Sequence, residues 1–149
     1  MLTKIEQCDQ LSSIDLGKII ESSRYENYRF IDRLVEDWQS GRNCFDKPGE
    51  ALFVAILEQE IVGVCGLNID PYIAGNALGR VRHLYVLPEK RRYGIGQSLV
   101  KTVIERAGNH FTQLNLRTSN PAADKFYRRL GFMASTPERT CTHKMVLDQ

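Results

Sequence analysis

The chain has 149 residues, a length that suits one domain and is too short for two ordinary ones. Hydrophobic residues make up 42% and charged residues 26%, a composition that excludes an intrinsically disordered chain. The net charge of +2 lacks the strong basic excess typical of nucleic-acid-binding domains, so local anion binding is the better expectation. We therefore predict a single domain over residues 1–149 that binds no nucleic acid.

The cysteines and histidines give no sign of a metal site. The chain has 4 cysteines, none in a C-x-x-C pair, and 3 scattered histidines, so the spacing suits no metal. No basic segment followed by an apolar core opens the sequence, and no apolar run reaches the roughly 20 residues of a membrane span. We expect reduced thiols and a cytoplasmic protein without a membrane partner.

The first half of the chain alternates between helical patterns and apolar runs. Residues 2–7 form a candidate strand, and the segments 8–22 and 24–39 carry apolar side chains at helical spacing, which predicts two helices. Two apolar runs rich in β-branched residues follow at 51–57 and 61–69. Because only a short polar segment separates them, we predict an antiparallel hairpin.

The second half of the chain is predicted to hold two helices placed between strands. One helix follows a glycine-containing turn and ends near Ala107. The other begins in the preferred way, with Asn120 as the cap and Pro121 at the first helical position, and stops at Gly131. The remaining strands are predicted at 80–87, 114–117, 132–134 and 141–147.

These elements follow one another in the order β-α-α-β-β-β-α-β-α-β-β. The order predicts an α/β (α+β) fold with one mixed central sheet and helices on both of its faces. The hairpin supplies antiparallel strands early in the chain. The β-α-β unit in the middle of the chain supplies a parallel pair.

The segment 90–96, Lys-Arg-Arg-Tyr-Gly-Ile-Gly, has the features of an anion-binding turn. Gly94 and Gly96 allow the backbone to approach a ligand closely where a strand turns into a helix. Cations stand just upstream, and the N-terminus of the following helix directs unpaired N–H groups and a positive dipole end to the same point. A charged surface turn that ends in glycines is the alternative interpretation of the segment taken alone.

Two segments resemble the motifs of the GNAT N-acetyltransferase superfamily. Residues 81–99 are similar to its acetyl-CoA motif, whose core is [RQ]-x-x-G-x-[GA], and residues 120–132 are similar to its second motif, N-x-x-A-x-x-[FL]-Y-x-x-x-G-F. Both occur in the family's order, and the predicted elements agree with the family over essentially the whole chain. The matching residues are Arg91, Gly94 and Gly96 in the first motif, and Asn120, Ala123, Phe126, Tyr127, Gly131 and Phe132 in the second.

The resemblance implies acetyl-CoA as the cosubstrate, held by the turn and by the strand before it. Backbone N–H groups and the side chains of Arg91 and Arg92 would meet the phosphates of coenzyme A. In the family that strand has a bulge whose main chain holds the pantetheine arm, and Tyr85, Val86 and Leu87 would occupy that place. The full implied set of cofactor-binding residues is Tyr85, Val86, Leu87, Arg91, Arg92, Tyr93, Gly94, Ile95, Gly96, Gln97, Ser98, Asn120 and Tyr127.

The resemblance also implies catalytic roles. Tyr127 matches the general acid that protonates the departing thiolate, and the Val86 N–H would polarise the thioester. Some branches of the family carry a glutamate base where this chain has Asn115, which cannot accept a proton at neutral pH. His83 is the nearby side chain with an ordinary pKa close to neutrality and is a candidate base, a water path being the default. A purely structural histidine, a capping Asn120 and a core Tyr127 are the alternatives.

We therefore expect an N-acetyltransferase that moves acetyl directly from acetyl-CoA to a primary amine in a ternary complex. No cysteine stands in a nucleophile motif, so no acetyl-cysteine intermediate is predicted. The acceptor, an amine-bearing small molecule or protein, would be shaped by residues 24–39 and 70–79, which match no motif. A coenzyme A sensor on the same fold is the rival interpretation, and a homodimer, common in the family, stays open.

Overall fold

A computed structural model describes residues 2–135 and 139–147 of the chain. Within these residues it shows a 7-stranded sheet in the order β1-β2-β3-β4-β5-β7-β6. All neighbouring strands are antiparallel except β4 and β5, which are parallel. The strands are β1 (Lys4–Gln7), β2 (Ala51–Leu57), β3 (Glu60–Ile69), β4 (Leu78–Val86), β5 (Gln113–Leu116), β6 (Met133–Ala134) and β7 (His143–Val146).

The helices follow the predicted order, so the predicted element sequence and mixed sheet are confirmed. Helices α1 and α2 lie on one face of the sheet and α3 on the other. The Cβ position of Gly63 on β3 meets Leu99 and Ile95 of α3, whereas that of Gly66 meets Phe45, which stacks on Trp38 of α2. The helices are α1 (Gly17–Tyr25), α2 (Phe30–Gln39), α3 (Ile95–Gly108) and α4 (Pro121–Arg129).

The first two helices are shorter than predicted, for local reasons. The Cys8 N–H donates to the Leu52 carbonyl and prolongs the strand pairing, and α1 begins only after the Asp15 carboxylate has accepted the Gly17 N–H. Asn27 has φ of 67°, a left-handed conformation that ends α1 and separates it from α2. Apolar periodicity runs across both breaks, so it could not reveal them.

Strands β4 and β5 separate soon after they meet. Their pairing covers only Leu78 to Arg80 against Gln113 to Asn115, while β4 continues beside β3 as far as Val86. On the β5 side, the second half of β4 therefore has no partner strand among residues 2–135 and 139–147. A cleft opens here in the centre of the sheet. Among those residues, no helix is both long and apolar enough to cross a bilayer.

Candidate active site

A β-bulge shapes the β4 wall of the cleft. Tyr85 faces Val64 and Arg82 faces Gly66, so two residues of β4 oppose one of β3. His83 lies in the bulge with φ of 59°. The resemblance placed the bulge at Tyr85–Leu87. The structure places it directly before that segment.

The main chain after the bulge offers a donor to the cleft. The Leu87 N–H donates to the Val62 carbonyl on β3 at 2.9 Å. Since successive residues of a strand direct their N–H groups to opposite sides, the Val86 N–H is directed away from β3 and toward the opening. The side chains of Tyr85, Val86 and Leu87 are all buried. This segment thus faces the cleft with its backbone.

The N-terminus of α3 is the second source of donors. Gly94 precedes the helix with φ of 80° and ψ of 8°, and no side chain among residues 2–135 and 139–147 caps the helix there. The Ser98 N–H donates to the Gly94 carbonyl, which leaves the N–H groups of Ile95, Gly96 and Gln97 without an intrahelical acceptor. Such a terminus suits an anion.

The side chains of the turn mostly face solvent. Arg92 has φ of 71°, so the turn contains a second left-handed residue besides Gly94. Tyr93 is 78% exposed, whereas Ile95 is buried in the core and contributes only its backbone to the cleft. The Cβ position of Gly96 lies 3.6 Å from Phe126, which brings α4 beside the turn. Gln97 and Ser98 are exposed on the first turn of α3.

The partly exposed Arg91 side chain is held by Glu26, the residue that follows α1. Its guanidinium pairs with both carboxylate oxygens of Glu26, at 2.6 and 3.0 Å, and its Nε donates to the Val86 carbonyl at 3.0 Å. The Tyr85 hydroxyl lies 2.5 Å from the same carboxylate and 2.7 Å from Ser22. Hydrogen bonding from Arg91 holds the pKa of Glu26 below its ordinary value. A direct contact of Arg91 with phosphate stays a prediction.

Tyr127 lies on the α3 side of the sheet. It is 7% exposed, and its ring packs edge-to-face against Phe126 and Phe132. Burial raises the pKa of its hydroxyl, with a further contribution from Cys65, so the group stays protonated at neutral pH. Within residues 2–135 and 139–147 this hydroxyl has no hydrogen-bond partner. These properties suit a proton donor and also suit a core aromatic.

Asn120 caps α4 as its local sequence predicts. Its side-chain oxygen accepts the Ala122 N–H at 3.0 Å, and Pro121 occupies the first helical position. The side chain is otherwise exposed. A contact between Asn120 and the cofactor stays a prediction, because capping already accounts for the residue.

His83 is a weak candidate for the general base. Its ring stacks on Phe30 and meets Phe45 edge-on. Burial is the main cause, and Arg82 a second, of a pKa lowered to about 3. The Nε2 atom is buried without a partner among the described residues. An imidazole with so low a pKa is neutral at pH 7, yet it holds a proton too weakly to be an effective base for an amine.

Asn115 belongs to a buried polar network next to the cleft. It donates to the Asp70 carboxylate at 2.9 Å and accepts a hydrogen bond from Gln113 at 2.8 Å. Asp70 is also 3.6 Å from Arg80 and accepts the Tyr72 N–H. Because its oxygens are engaged in this way, Asp70 serves structure and does not replace the missing glutamate.

The structure brings most of the predicted residues to one cleft. The bulged strand, the turn and Tyr127 surround it, whereas the side chains of His83 and Tyr85 face α1 and α2. Sequence reasoning missed Glu26, which lies 65 positions from Arg91, and Arg82, which forms part of the opposite wall. No local motif marks either residue.

Comparison with known proteins agrees with this geometry. The family model described as "Acetyltransferase (GNAT) family" matches residues 14–132. The chain is 29% identical over 119 residues to an aminoalkylphosphonate N-acetyltransferase of Salmonella typhimurium, covering 72% of this chain and 77% of that protein.

Solved structures show the same architecture. An Exiguobacterium sp. 255-15 protein described as an acetyltransferase superimposes with a TM-score of 0.88 at 28% identity, covering 98% of this chain and 94% of that chain. The Salmonella typhimurium protein yncA, solved with its cofactor acetyl-CoA, has a TM-score of 0.71 at 15% identity, covering 99% and 95% of the two chains. At that identity the second likeness concerns the fold.

Proposed function

This chain belongs to the GNAT family of N-acetyltransferases, and we propose that it transfers acetyl from acetyl-CoA directly to a primary amine in a ternary complex. The proposal takes residues 1–149 as one catalytic domain. It rests above all on the cleft between β4 and β5, where the uncapped N-terminus of α3 and the strand after the bulge face the same opening. On the α3 side of the cleft and along the strand after the bulge, the donors are backbone N–H groups, which suit phosphate and carbonyl oxygens.

The residues present fit coenzyme A. The N–H groups of Ile95, Gly96 and Gln97 have no intrahelical acceptor and are positioned to bind pyrophosphate oxygens, with Arg92 adding exposed positive charge. The region around the Gly94 Cβ position is open. Gly94 is therefore needed for its positive φ, and it leaves space for a ligand beside the turn. Acetyl-CoA would supply the activated acetyl group at the Val86 end of the cleft.

The chain contributes to transfer in two places. The Val86 N–H is directed into the cleft, where it would donate to the acetyl carbonyl oxygen as negative charge develops there. Tyr127 holds a proton at neutral pH and would deliver it to the sulfur when the carbon–sulfur bond breaks and the carbon–nitrogen bond forms. The proton lost by the amine leaves through water, since the His83 imidazole is a weak base and Asn115 cannot serve.

Direct transfer is supported by the state of the cysteines. Burial raises the pKa of Cys65 to about 12 and also raises the pKa of Cys8, so both remain thiols at neutral pH. A thiol is a far poorer nucleophile than a thiolate. An acetyl-cysteine intermediate at Cys65 or Cys8 is therefore disfavoured.

Thiol release from acetyl-CoA against a panel of amines tests the proposal, and the Salmonella relative makes small aminoalkyl compounds the first to try. Initial rates at several concentrations of both substrates should give intersecting reciprocal plots, as a ternary complex requires. Parallel plots would indicate a covalent acetyl-enzyme. Tight acetyl-CoA binding by calorimetry without turnover of any amine would favour the coenzyme A sensor, an alternative that Asn115 favours.

A further inference from the structure

Arg82 lies on the wall of the cleft opposite Tyr127. It faces Gly66 across β3, and the Gly66 position is covered by Phe45, so both belong to the α1 and α2 face of the sheet. The last residue of β4 paired with β5 is Arg80, so Arg82 falls where the two strands have already separated. Its half-buried side chain therefore stands beside the opening, on the side away from α3.

The charge of Arg82 is not matched by the residues around it. Within residues 2–135 and 139–147 its guanidinium forms no ion pair or hydrogen bond. Tyr72, Asp37 and Asp70 raise its pKa only at a distance, without a contact. Asp70 is paired with Arg80 at 3.6 Å, and Asp37 with Arg42 at 3.3 Å. Burial lowers the pKa of Arg82, yet a guanidinium stays charged at neutral pH.

Neighbouring cations increase the positive potential at this place. Arg80, which is 7% exposed, adjoins Arg82 on the same face and lowers its pKa. Arg33 of α2 lowers the pKa of His83 in the same region and has no ion-pair partner in the described part of the chain. A half-buried charge without a counter-ion is unfavourable in the free protein, and an anionic ligand that supplied the partner would remove this cost.

We propose that Arg82 binds an anionic group of the acceptor, so that the acceptor is a small primary amine carrying a carboxylate or a phosphonate. This inference rests on the proposed function and assigns the specificity of the same cleft. The guanidinium presents a planar set of donors that can hold either anion with two parallel hydrogen bonds. Arg82 acts in binding and takes no part in the transfer of protons.

The dimensions of β4 limit the size of the acceptor. Arg82 and Val86 are separated by about 13 Å of strand at roughly 3.3 Å per residue, and the bulge shortens this path. With the acetyl group held at Val86 and the anionic end of the acceptor at the Arg82 guanidinium, the gap for the acceptor would be shorter than this path. A short chain between amine and acid therefore suits the site better than a protein side chain on a folded surface.

Matched amines test the inference with the full chain. The probes are 3-aminopropanoate, 2-aminoethylphosphonate and propylamine, which lacks an acid group. Each is assayed by thiol release with the wild type, Arg82→Gln and Arg82→Lys. We expect Arg82→Gln to raise KM for the preferred anionic amine at least tenfold, as the loss of a charged hydrogen bond implies. The KM for propylamine should change less than twofold, and Arg82→Lys should recover part of the loss.

A control variant and a binding measurement keep the outcomes distinct. Arg129→Gln removes an exposed cation at the end of α4, away from the α1 and α2 face, and should change each KM less than twofold. Calorimetry of the two anionic amines with the coenzyme A-saturated protein measures binding without turnover. Comparison of the two probes distinguishes a carboxylate from a phosphonate site.

Two results would overturn the inference. One is a lack of selectivity for the acid group: propylamine is turned over as well as both anionic amines, or Arg82→Gln loses the same activity toward every probe. In that case the transferase activity would still stand. The other is anion binding that is absent in the wild type or unchanged in Arg82→Gln. If no amine is acetylated while anion binding depends on Arg82, the proposed transferase fails and the anion site holds.

Discussion

The two faces of the cleft are built in different ways. On the α3 and α4 face, the groups that point to a cofactor are backbone N–H groups and Tyr127, and they come from two short contiguous segments. On the α1 and α2 face, the polar groups are side chains from distant parts of the chain, such as Glu26 on Arg91 and Ser22 on Tyr85.

Under the proposed function, this difference follows from what each face binds. Backbone donors fixed by a turn and a helix terminus would recognise the phosphate and carbonyl oxygens of acetyl-CoA, the cosubstrate that all acetyl-CoA-dependent enzymes share. Side chains set on separate elements can be exchanged one at a time, so they can adapt to different acceptors. We therefore expect substitutions on the first face to affect cofactor binding or chemistry, and those on the second to affect acceptor choice or local stability.

The largest expected effect is that of Tyr127→Phe. If Tyr127 delivers the proton to sulfur, kcat should fall about 100-fold or more, while the acetyl-CoA dissociation constant changes little. Stability should also change little, because the hydroxyl has no hydrogen-bond partner within the described part of the chain. Steady-state kinetics, calorimetry and thermal unfolding measure the three quantities. Tyr25→Phe, at a tyrosine that is 90% exposed, is the control. Equal turnover in the two variants would remove Tyr127 from the acid role.

Gly94→Ala should have the next largest effect and sharpen the contrast between faces. Its φ of 80° costs about 1–2 kcal/mol for a residue with a Cβ, so the free energy of unfolding should fall by that amount. If the turn holds pyrophosphate, acetyl-CoA binding should weaken as well.

Gly75→Ala is the matched control, because Gly75 has φ of 88° and equally open surroundings in the loop after β3. It should lose similar stability and keep its acetyl-CoA affinity. Equal loss of affinity in both variants would show that general destabilisation, not the turn, controls cofactor binding.

Glu26→Gln tests how much the pair between Glu26 and Arg91 contributes to stability. Loss of the pair should reduce the free energy of unfolding at pH 7 by about 0.5 kcal/mol, since both side chains are partly exposed and solvent screens them. The pKa of Glu26 is lowered by Arg91, so this stability is present above the ordinary carboxyl pKa and is lost as pH falls through the folded value.

Denaturant unfolding at pH 7 and at pH 3 measures the difference between Glu26→Gln and the wild type. It should shrink at the lower pH. Glu60→Gln removes the partner of Lys18 in an exposed pair and should change stability less than Glu26→Gln. A difference that persists unchanged at pH 3 would show that the Glu26 charge is not its source.

The two faces also differ in how far the sequence could predict them. The turn, the cap at Asn120 and the motif around Tyr127 depend on neighbouring residues, so their spacing identifies them without a structure. The pair between Arg91 and Glu26 joins residues far apart in sequence, and the unmatched charge of Arg82 is visible only once the surrounding carboxylates are placed. Long-range pairing is set by the fold, which local patterns do not encode.

His83 gives the smallest expected effect and the sharpest test of the acceptor face. With a pKa of about 3, its ring should stay neutral down to pH 5 in an NMR titration, and the rise of kcat/KM with pH should not report its ionisation. Between that pKa and the ordinary value of 6.5 the unfolded chain binds a proton that the folded chain does not. The contribution of His83 to stability is therefore complete above pH 6.5 and declines as pH falls toward 3.

His83→Asn keeps a residue that tolerates the left-handed bulge and removes the imidazole. If water carries the proton away, kcat at pH 7 should change less than about threefold, a small fraction of what general base catalysis contributes. Loss of an acid limb near pH 6.5 in this variant would instead make His83 the base. The acceptor face would then supply chemistry as well as specificity, and the division between the two walls of the cleft would no longer hold.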